Sequence, residues 1–322
     1  MNLNDIIETL GEDWRQMISV MSGALHTDVK MLEEVNSATL LHRGKLMRPM
    51  VSLLLANAVG HPTRDNHLLA AATELLHNAT LMHDDVADDS NCRRGHPTLK
   101  SLVGPTAAVL IGDFWLSRAV ELVLETGCHE KVEKLFTRTL MDLSEGEMFQ
   151  LEKSMAADTT QEDYLRIVRC KTASLFMAAC VSSVLASGGS PRQVDAALRY
   201  GESLGIAFQI KDDILDYVGG LETGKPAGLD LREGKITLPL LGAIRNYDDA
   251  TSIRKMVRDA ASDPGKGEYL RTFVLEHGGV EYAASCLDEY VNSAVESLSA
   301  FEDGWAVDYL AQIARYNTFR KS

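Results

Sequence analysis

Two segments of this 322-residue sequence carry three aspartates in DDxxD spacing: Asp84, Asp85 and Asp88 in LLHNATLMHDDVADDSNCRRGHPT, and Asp212, Asp213 and Asp216 in FQIKDDILDYVGG. On a helix, positions i and i+4 share a face, so Asp84 lies beside Asp88 and Asp212 beside Asp216, with the middle aspartate next to them. Like charges at that spacing repel and destabilise a helix, so each cluster calls for a compensating cation. An all-oxygen, hard donor set suits Mg²⁺, which keeps several waters and is held by one or two carboxylates plus substrate phosphates. With 24 Asp in the chain, about 0.13 such matches are expected by chance, and two are present. Both interrupt strongly apolar runs, unlike a merely solvated acidic face. The six aspartates are therefore read as metal ligands.

Basic residues stand in matching places. Lys45 and Arg48 in GKLMRP are spaced one helical turn apart, and Arg93 and Arg94 follow the first aspartate cluster. Lys171 with Thr172, Lys225 in TGKP and Lys235 in EGKITLP add further cations. Arg offers a planar fork for phosphate oxygens and Lys a point charge, so the set suits a diphosphate.

The elements that must position these groups read as helices. Leu68, Ala71, Ala72, Leu75, Leu76, Ala79 and Met82 recur at steps of three and four, as one buried helical face requires. Leu135, Phe136, Leu140, Leu143 and Met148 mark a second such helix, and Leu198, Ile206, Phe208, Ile210 and Leu215 a third. Alternating β-branched runs are few, so an all-α fold of ten or more helices is expected. Loops are expected at 60–64, 90–98, 156–160, 188–191 and 219–234. No fixed-period repeat and no Gly/Ser/Pro-rich linker divides the chain, so residues 1–322 are read as a single large helical domain.

Composition narrows the function classes. The net charge of −14 disfavours a nucleic-acid partner. The five cysteines (Cys92, Cys128, Cys170, Cys180 and Cys286) are odd in number and scattered with no CxxC pair, so neither a disulfide framework nor a thiolate zinc site is indicated, and a reducing cytoplasm fits. The acidic N-terminal stretch MNLNDIIETLGEDWRQ is unlike a signal peptide. The longest uncharged run, 172–191, is too short and polar for a transmembrane span and reads as a buried helix.

The motifs GKLMRP, ELLHNATLMHDDVADDSNCRRGHPT, GDF at Gly112 to Phe114, GEMFQ at Gly146 to Gln150, CKTASLF, FQIKDDILDY and GKPAGLDLREGKITLPL resemble, in order, those of the trans-isoprenyl diphosphate synthase (polyprenyl synthetase) family. That resemblance implies a helical bundle of the isoprenoid synthase type with a central cavity, and sequential head-to-tail condensation of isopentenyl diphosphate onto an allylic diphosphate such as farnesyl or geranylgeranyl diphosphate. It implies three Mg²⁺ ions bound with the substrate diphosphate, Asp84, Asp85 and Asp88 on one side and Asp212, Asp213 and Asp216 on the other. By the same resemblance Lys45, Arg48, His77 and Arg94 form the isopentenyl diphosphate site. Arg93, Lys171, Thr172, Gln209, Lys225 and Lys235 contact the allylic diphosphate or the forming cation, with Lys171 and Lys225 counted as catalytic. A homodimer, contact with a membrane surface for product release, and use of the product as a quinone side chain are also implied.

Product length turns on Ala79 and Thr80, about one turn before Asp84. In the family, bulky aromatic residues there resemble a floor that stops growth. Small ones predict a long product of six to ten isoprene units, an octaprenyl chain being the central expectation, with Phe136, Leu140 or Leu143 as a deeper floor. The alternatives are a short-chain farnesyl or geranylgeranyl diphosphate synthase, a terpene cyclase, and a non-catalytic subunit of a heteromeric synthase. A cyclase has no use for Lys45, Arg48 and Arg94, and a silent subunit is free to lose its aspartates. Small departures from the family pattern are Ala87, Asp89 and Lys211.

Overall fold

The computed structural model describes residues 2–41, 44–93, 95–219, 228–260 and 262–319; Arg94 and Lys225 lie outside the described residues. Helices dominate, in agreement with the all-α expectation. They are α1 (Leu3–Ala24), α2 (Lys30–Leu41), α3 (Met47–Val59), α4 (Arg64–Ala87), α5 (Leu99–Val103), α6 (Pro105–Leu124), α7 (His129–Ala156) and α8 (Gln161–Val168). A five-residue π-helical turn, Arg169–Ala173, leads into α9 (Ser174–Ala186). There follow α10 (Pro191–Val218), α11 (Leu229–Arg232), α12 (Leu238–Ile244), α13 (Ala250–Ala260), α14 (Pro264–Glu276), α15 (Gly279–Ser297) and α16 (Trp305–Phe319). Two-residue strands β1 (Cys92–Arg93) and β2 (His96–Pro97) pair antiparallel.

The chain forms two compact units. Unit 1 holds Met1–Thr137, Ala178–Leu198 and Leu298–Leu310; unit 2 holds Arg138–Met177, Arg199–Ser297 and Ala311–Ser322. In unit 1, α4 packs against α1, α3 and α6. The seven apolar positions read from the sequence of α4, Leu68 to Met82, are all buried. Asn66 at the start of α4 donates to the Ser183 carbonyl at 3.0 Å, and Trp115 of α6 donates to Asn36 at 2.8 Å, so buried polar groups in this unit find partners. In unit 2, Tyr164, Ile210, Tyr217, Leu240, Leu270 and Phe273 belong to one buried apolar cluster built from α8, α10, α12 and α14.

Local chemistry explains the boundaries that matter for the site. Thr160 and Asp163 form a reciprocal capping box, with Asp163 N–H donating to Thr160 Oγ1 at 3.1 Å and Thr160 N–H donating to Asp163 Oδ2 at 3.0 Å, which fixes where α8 begins. The segment Gln161–Ala186 is long and apolar enough to cross a membrane, yet 78% of its most apolar window is buried in the protein. Within it, α9 is the buried helix expected from the uncharged run 172–191.

Several expectations need correction. The expected loop at 90–98 contains the small hairpin, and the one at 219–234 contains the single-turn α11. Lys45 precedes α3 and Leu46 adopts a left-handed φ of 49°, so Lys45 and Arg48 are not successive turns of one helix. Met148 lies in α7 but is 65% exposed, because Met141, Met148 and Met155 share a heptad position on its outer face.

Candidate active site

The first aspartate cluster ends α4. Asp84 and Asp85 lie in its last turn and Asp88 is its C-cap residue, with Asp88 N–H donating to the Asp84 carbonyl at 2.8 Å. This is the negative end of the helix dipole, where carboxylates are unfavourable unless a cation is near. Asp85 is buried and accepts a hydrogen bond from Arg93 Nε at 2.8 Å, the arginine being brought back by the hairpin. Asp84 is half-buried and Asp88 exposed. On the same helix His77 and Thr80 are half-buried, Thr80 Oγ1 donating to the His77 carbonyl at 2.8 Å, and Ala79 is fully buried. Also in unit 1, Lys45 is exposed, Arg48 half-buried and Phe136 buried.

The second cluster, in unit 2, sits in the last two turns of α10. Lys171, Thr172, Gln209, Asp213 and Lys235, all singled out in the sequence, line one pocket of about 140 Å³. Asp213 is buried; Tyr164 donates to its Oδ2 at 2.6 Å and Gln209 Nε2 to its Oδ1 at 2.9 Å. Thr172 Oγ1 donates to Gln209 Oε1 at 2.8 Å, extending the chain of hydrogen bonds to the π turn. Lys171 Nζ donates to Gln150 Oε1 at 3.0 Å and pairs with Glu147, while Lys235 pairs with Glu233. Asp216 accepts the backbone N–H groups of Leu229 and Asp230, each at 3.1 Å, and so caps α11. Asp212 and Lys211 are half-buried, and Lys211 Nζ donates to the Thr318 carbonyl at 3.1 Å.

Glycines let neighbouring helices approach the π turn and the start of α9 closely. A Cβ on Gly205 of α10 would lie 2.5 Å from Ala173 Cα, one on Gly201 2.8 Å from Met177 Cα, and one on Gly146 of α7 2.7 Å from Cys170 Cβ. The π turn, in which Ser174 N–H reaches back five residues to the Arg169 carbonyl, is thus approached by two helices at glycine distance.

With this geometry established, the polyprenyl synthetase family model matches residues 29–273. The chain belongs to that family. It is similar to octaprenyl diphosphate synthase of Escherichia coli (strain K12), 36% identical over 308 residues covering 94% of each chain. It is also similar to a short chain isoprenyl diphosphate synthase of Methanothermobacter thermautotrophicus, 35% identical over 278 residues covering 85% of each. Among solved structures, a decaprenyl diphosphate synthase from Rhodobacter capsulatus matches over 100% of both chains, with 33% identity and a TM-score of 0.92. As a polyprenyl synthetase the chain is a prenyltransferase, and the isoprenoid synthase type of helical fold holds.

The donor sets of this polyprenyl synthetase fit Mg²⁺. Among the described residues no three His, Cys, Asp or Glu side chains converge to hold a metal by protein ligands alone. Carboxylate oxygens are hard donors, and Mg²⁺ takes one or two of them and completes its shell with diphosphate oxygens and water. Burial, helped by the charges of Asp212 and Asp216, pushes Asp213 up to about 7 against the opposing hydrogen bonds from Tyr164 and Gln209.

Tyr164 and Asp230 are among the pocket residues that escaped the sequence reading. Tyr164 lies in DYLRIVRCKT and reads as one more core aromatic; only the fold aims its hydroxyl at Asp213. Asp230 lies 14 residues beyond Asp216, outside any DDxxD spacing, yet it lines the same pocket. Burial and the charges of Asp213 and Asp216 hold its carboxyl well above the usual range. The motif GLDLREGK was its only signal.

Proposed function

We propose that the protein extends an allylic diphosphate, farnesyl or geranylgeranyl, by successive head-to-tail condensation with isopentenyl diphosphate to an all-trans product of 30–50 carbons, an octaprenyl chain in the central case. The observation that carries the long product is Ala79: fully buried, on α4, and bearing only a methyl group about one turn before Asp84. A chain growing along that face meets no aromatic ring at 79 or 80. Phe136, buried in α7, is the proposed deeper floor.

In this reading Asp84, Asp85, Asp88, Asp212, Asp213 and Asp216 hold Mg²⁺, three ions in all, with the substrate diphosphate. Bound there, Mg²⁺ supplies stabilisation of the negative charge that develops on the departing diphosphate. Arg93, Lys171, Lys225 and Lys235 add positive charge on the allylic side, with Lys45, Arg48, His77 and Arg94 gripping isopentenyl diphosphate. The allylic carbon–oxygen bond ionises, and the double bond of isopentenyl diphosphate attacks the carbocation. The released diphosphate takes the final proton, so no protein nucleophile is needed. Ile167, Val168 and Ile236 are the apolar members of the pocket lining, on the side where water that would quench the cation must be excluded. The hydrogen bonds Thr172–Gln209–Asp213–Tyr164 keep their polar atoms in place without offering a nucleophile to it.

The protein acts as a homodimer in this proposal, supported by the exposed apolar row Met141, Met148, Leu151 and Met155 on α7. Residues 1–322 work as one domain, supported by four of the unit boundaries falling inside α7, α9, α10 and α16. The place of action is the cytoplasm, with release of the long product at a membrane surface and its use as a quinone side chain. The test is incubation of purified protein with farnesyl diphosphate, radiolabelled isopentenyl diphosphate and Mg²⁺, followed by sizing of the dephosphorylated products. A ladder ending between thirty and fifty carbons is expected; fifteen or twenty carbons refutes the length, and no incorporation by folded protein turns the reading to a silent subunit.

A further inference from the structure

We propose that His83 is a positioning residue: its ring, seated in the space left by the missing side chain of Gly112, keys the aspartate-bearing end of α4 to α6 and sets the direction of Asp84 and Asp88. This rests on the reading of those carboxylates as Mg²⁺–diphosphate ligands. His83 Nε2 lies 3.3 Å from the Val109 carbonyl and 3.3 Å from Asp113 Oδ1, both on α6. Both partners are acceptors, so Nε2 carries the hydrogen and shares it between them. A Cβ built on Gly112 would lie 2.4 Å from Nε2 and 2.7 Å from Cδ2 of the same ring. No residue with a side chain fits there while the ring holds its place. A glycine inside a helix costs about 1 kcal/mol relative to alanine, so its presence in mid-α6 calls for such a reason. The GDF and HDD motifs are in this way one contact.

The helical geometry shows why that contact aims the cluster. At about 100° per residue, His83 and Asp85 lie about 100° to either side of Asp84, and Asp88 lies about 40° from it. The last turn of α4 is therefore gripped from two sides. His83 is held by α6 on one and Asp85 by Arg93 at 2.8 Å on the other. The face between them carries Asp84 and Asp88. Releasing one grip leaves the turn held from a single side, so that it can roll about its axis and change the direction of the two carboxylates.

The test is a double-mutant cycle on full-length protein with His83→Ala, Gly112→Ala and both changes. The readout is calorimetric titration of Mg²⁺ in the presence of saturating inorganic diphosphate, with circular dichroism as the check on folding. Groups that orient metal-binding carboxylates are worth about ten-fold or more in metal affinity, so each single variant should raise the half-saturating Mg²⁺ concentration about ten-fold. The double variant should match His83→Ala alone, because removing the ring makes room for the new methyl group. His83→Gln, which restores a donor, should recover part of the loss.

Multiplied losses in the double variant, or an unchanged Mg²⁺ requirement in folded His83→Ala, overturn the proposal. If Gly112→Ala does not fold, His83→Ala and His83→Gln still decide it. Wild-type protein that binds no Mg²⁺–diphosphate overturns the underlying ligand assignment instead, a distinguishable result.

Discussion

Tyr164 donates its phenolic hydrogen to Asp213 at 2.6 Å, and both side chains are buried. The second aspartate motif is thereby anchored through its middle member, as the first is through Asp85 and Arg93. In each motif the middle carboxylate is the buried one, which leaves its two neighbours as the half-buried or exposed members.

Tyr164→Phe therefore removes the hydrogen bond from the tyrosine to the buried Asp213 carboxylate, leaving that from Gln209, while keeping the ring. Loss of such a bond costs about 1–3 kcal/mol, to be read as a lower denaturation midpoint, with turnover falling as Asp213 and Gln209 lose their fixed positions. Unchanged stability and unchanged turnover together would show that Asp213 does not depend on the tyrosine.

Asp84→Ala and Asp212→Ala remove half-buried carboxylates. Each should lower kcat by about 100-fold or more, the scale of losing a preorganised electrostatic group, with the far-ultraviolet circular dichroism of a helical protein retained. Near-normal turnover in either variant removes that residue from the metal site.

Ala79→Tyr places a large ring at a fully buried position. Overpacking costs about 1–3 kcal/mol, and the product ladder should end several isoprene units earlier. An unchanged product distribution from folded variant would put the growing chain elsewhere.

Gly205→Ala sets a methyl group 2.5 Å from Ala173 Cα, a backbone atom that cannot swing aside. The π turn must shift, at about 1–3 kcal/mol in stability. The KM for the allylic diphosphate should rise more than that for isopentenyl diphosphate, because Lys171 and Thr172 ride on that turn. Equal changes in both would count against the assignment of Lys171 and Thr172 to the allylic side.

Mg²⁺ together with inorganic diphosphate should raise the melting temperature, and a chelator should reverse the rise. A ligand at one hundred times its Kd stabilises by about 2.7 kcal/mol if it binds only the folded state. No shift with both present would argue that the aspartates serve structure alone.

Much of this was legible in one dimension. The period of α4 is written in Leu68, Ala71, Leu75, Leu76 and Ala79, and every one of them is buried, because a helix can hide only one face and the apolar residues mark it. The DDxxD spacings, the basic residues and the glycines of GDF and GEMFQ are likewise local patterns. Met148 was misplaced because its apolar character fits a buried face as well as an exposed one; only packing separates the two.

What the sequence by itself determined is the helical class, the family, and which residue types could meet a metal and a diphosphate. The tertiary structure decided which carboxylates are anchored and by whom: Arg93 on Asp85, Tyr164 on Asp213, the backbone of α11 on Asp216. It also brought Asp230 to the pocket and seated His83 over Gly112. The physical reason is range. Periodicity and spacing follow from bonds along the chain, whereas these partners are separated by up to 49 residues in sequence and meet only after the helices pack.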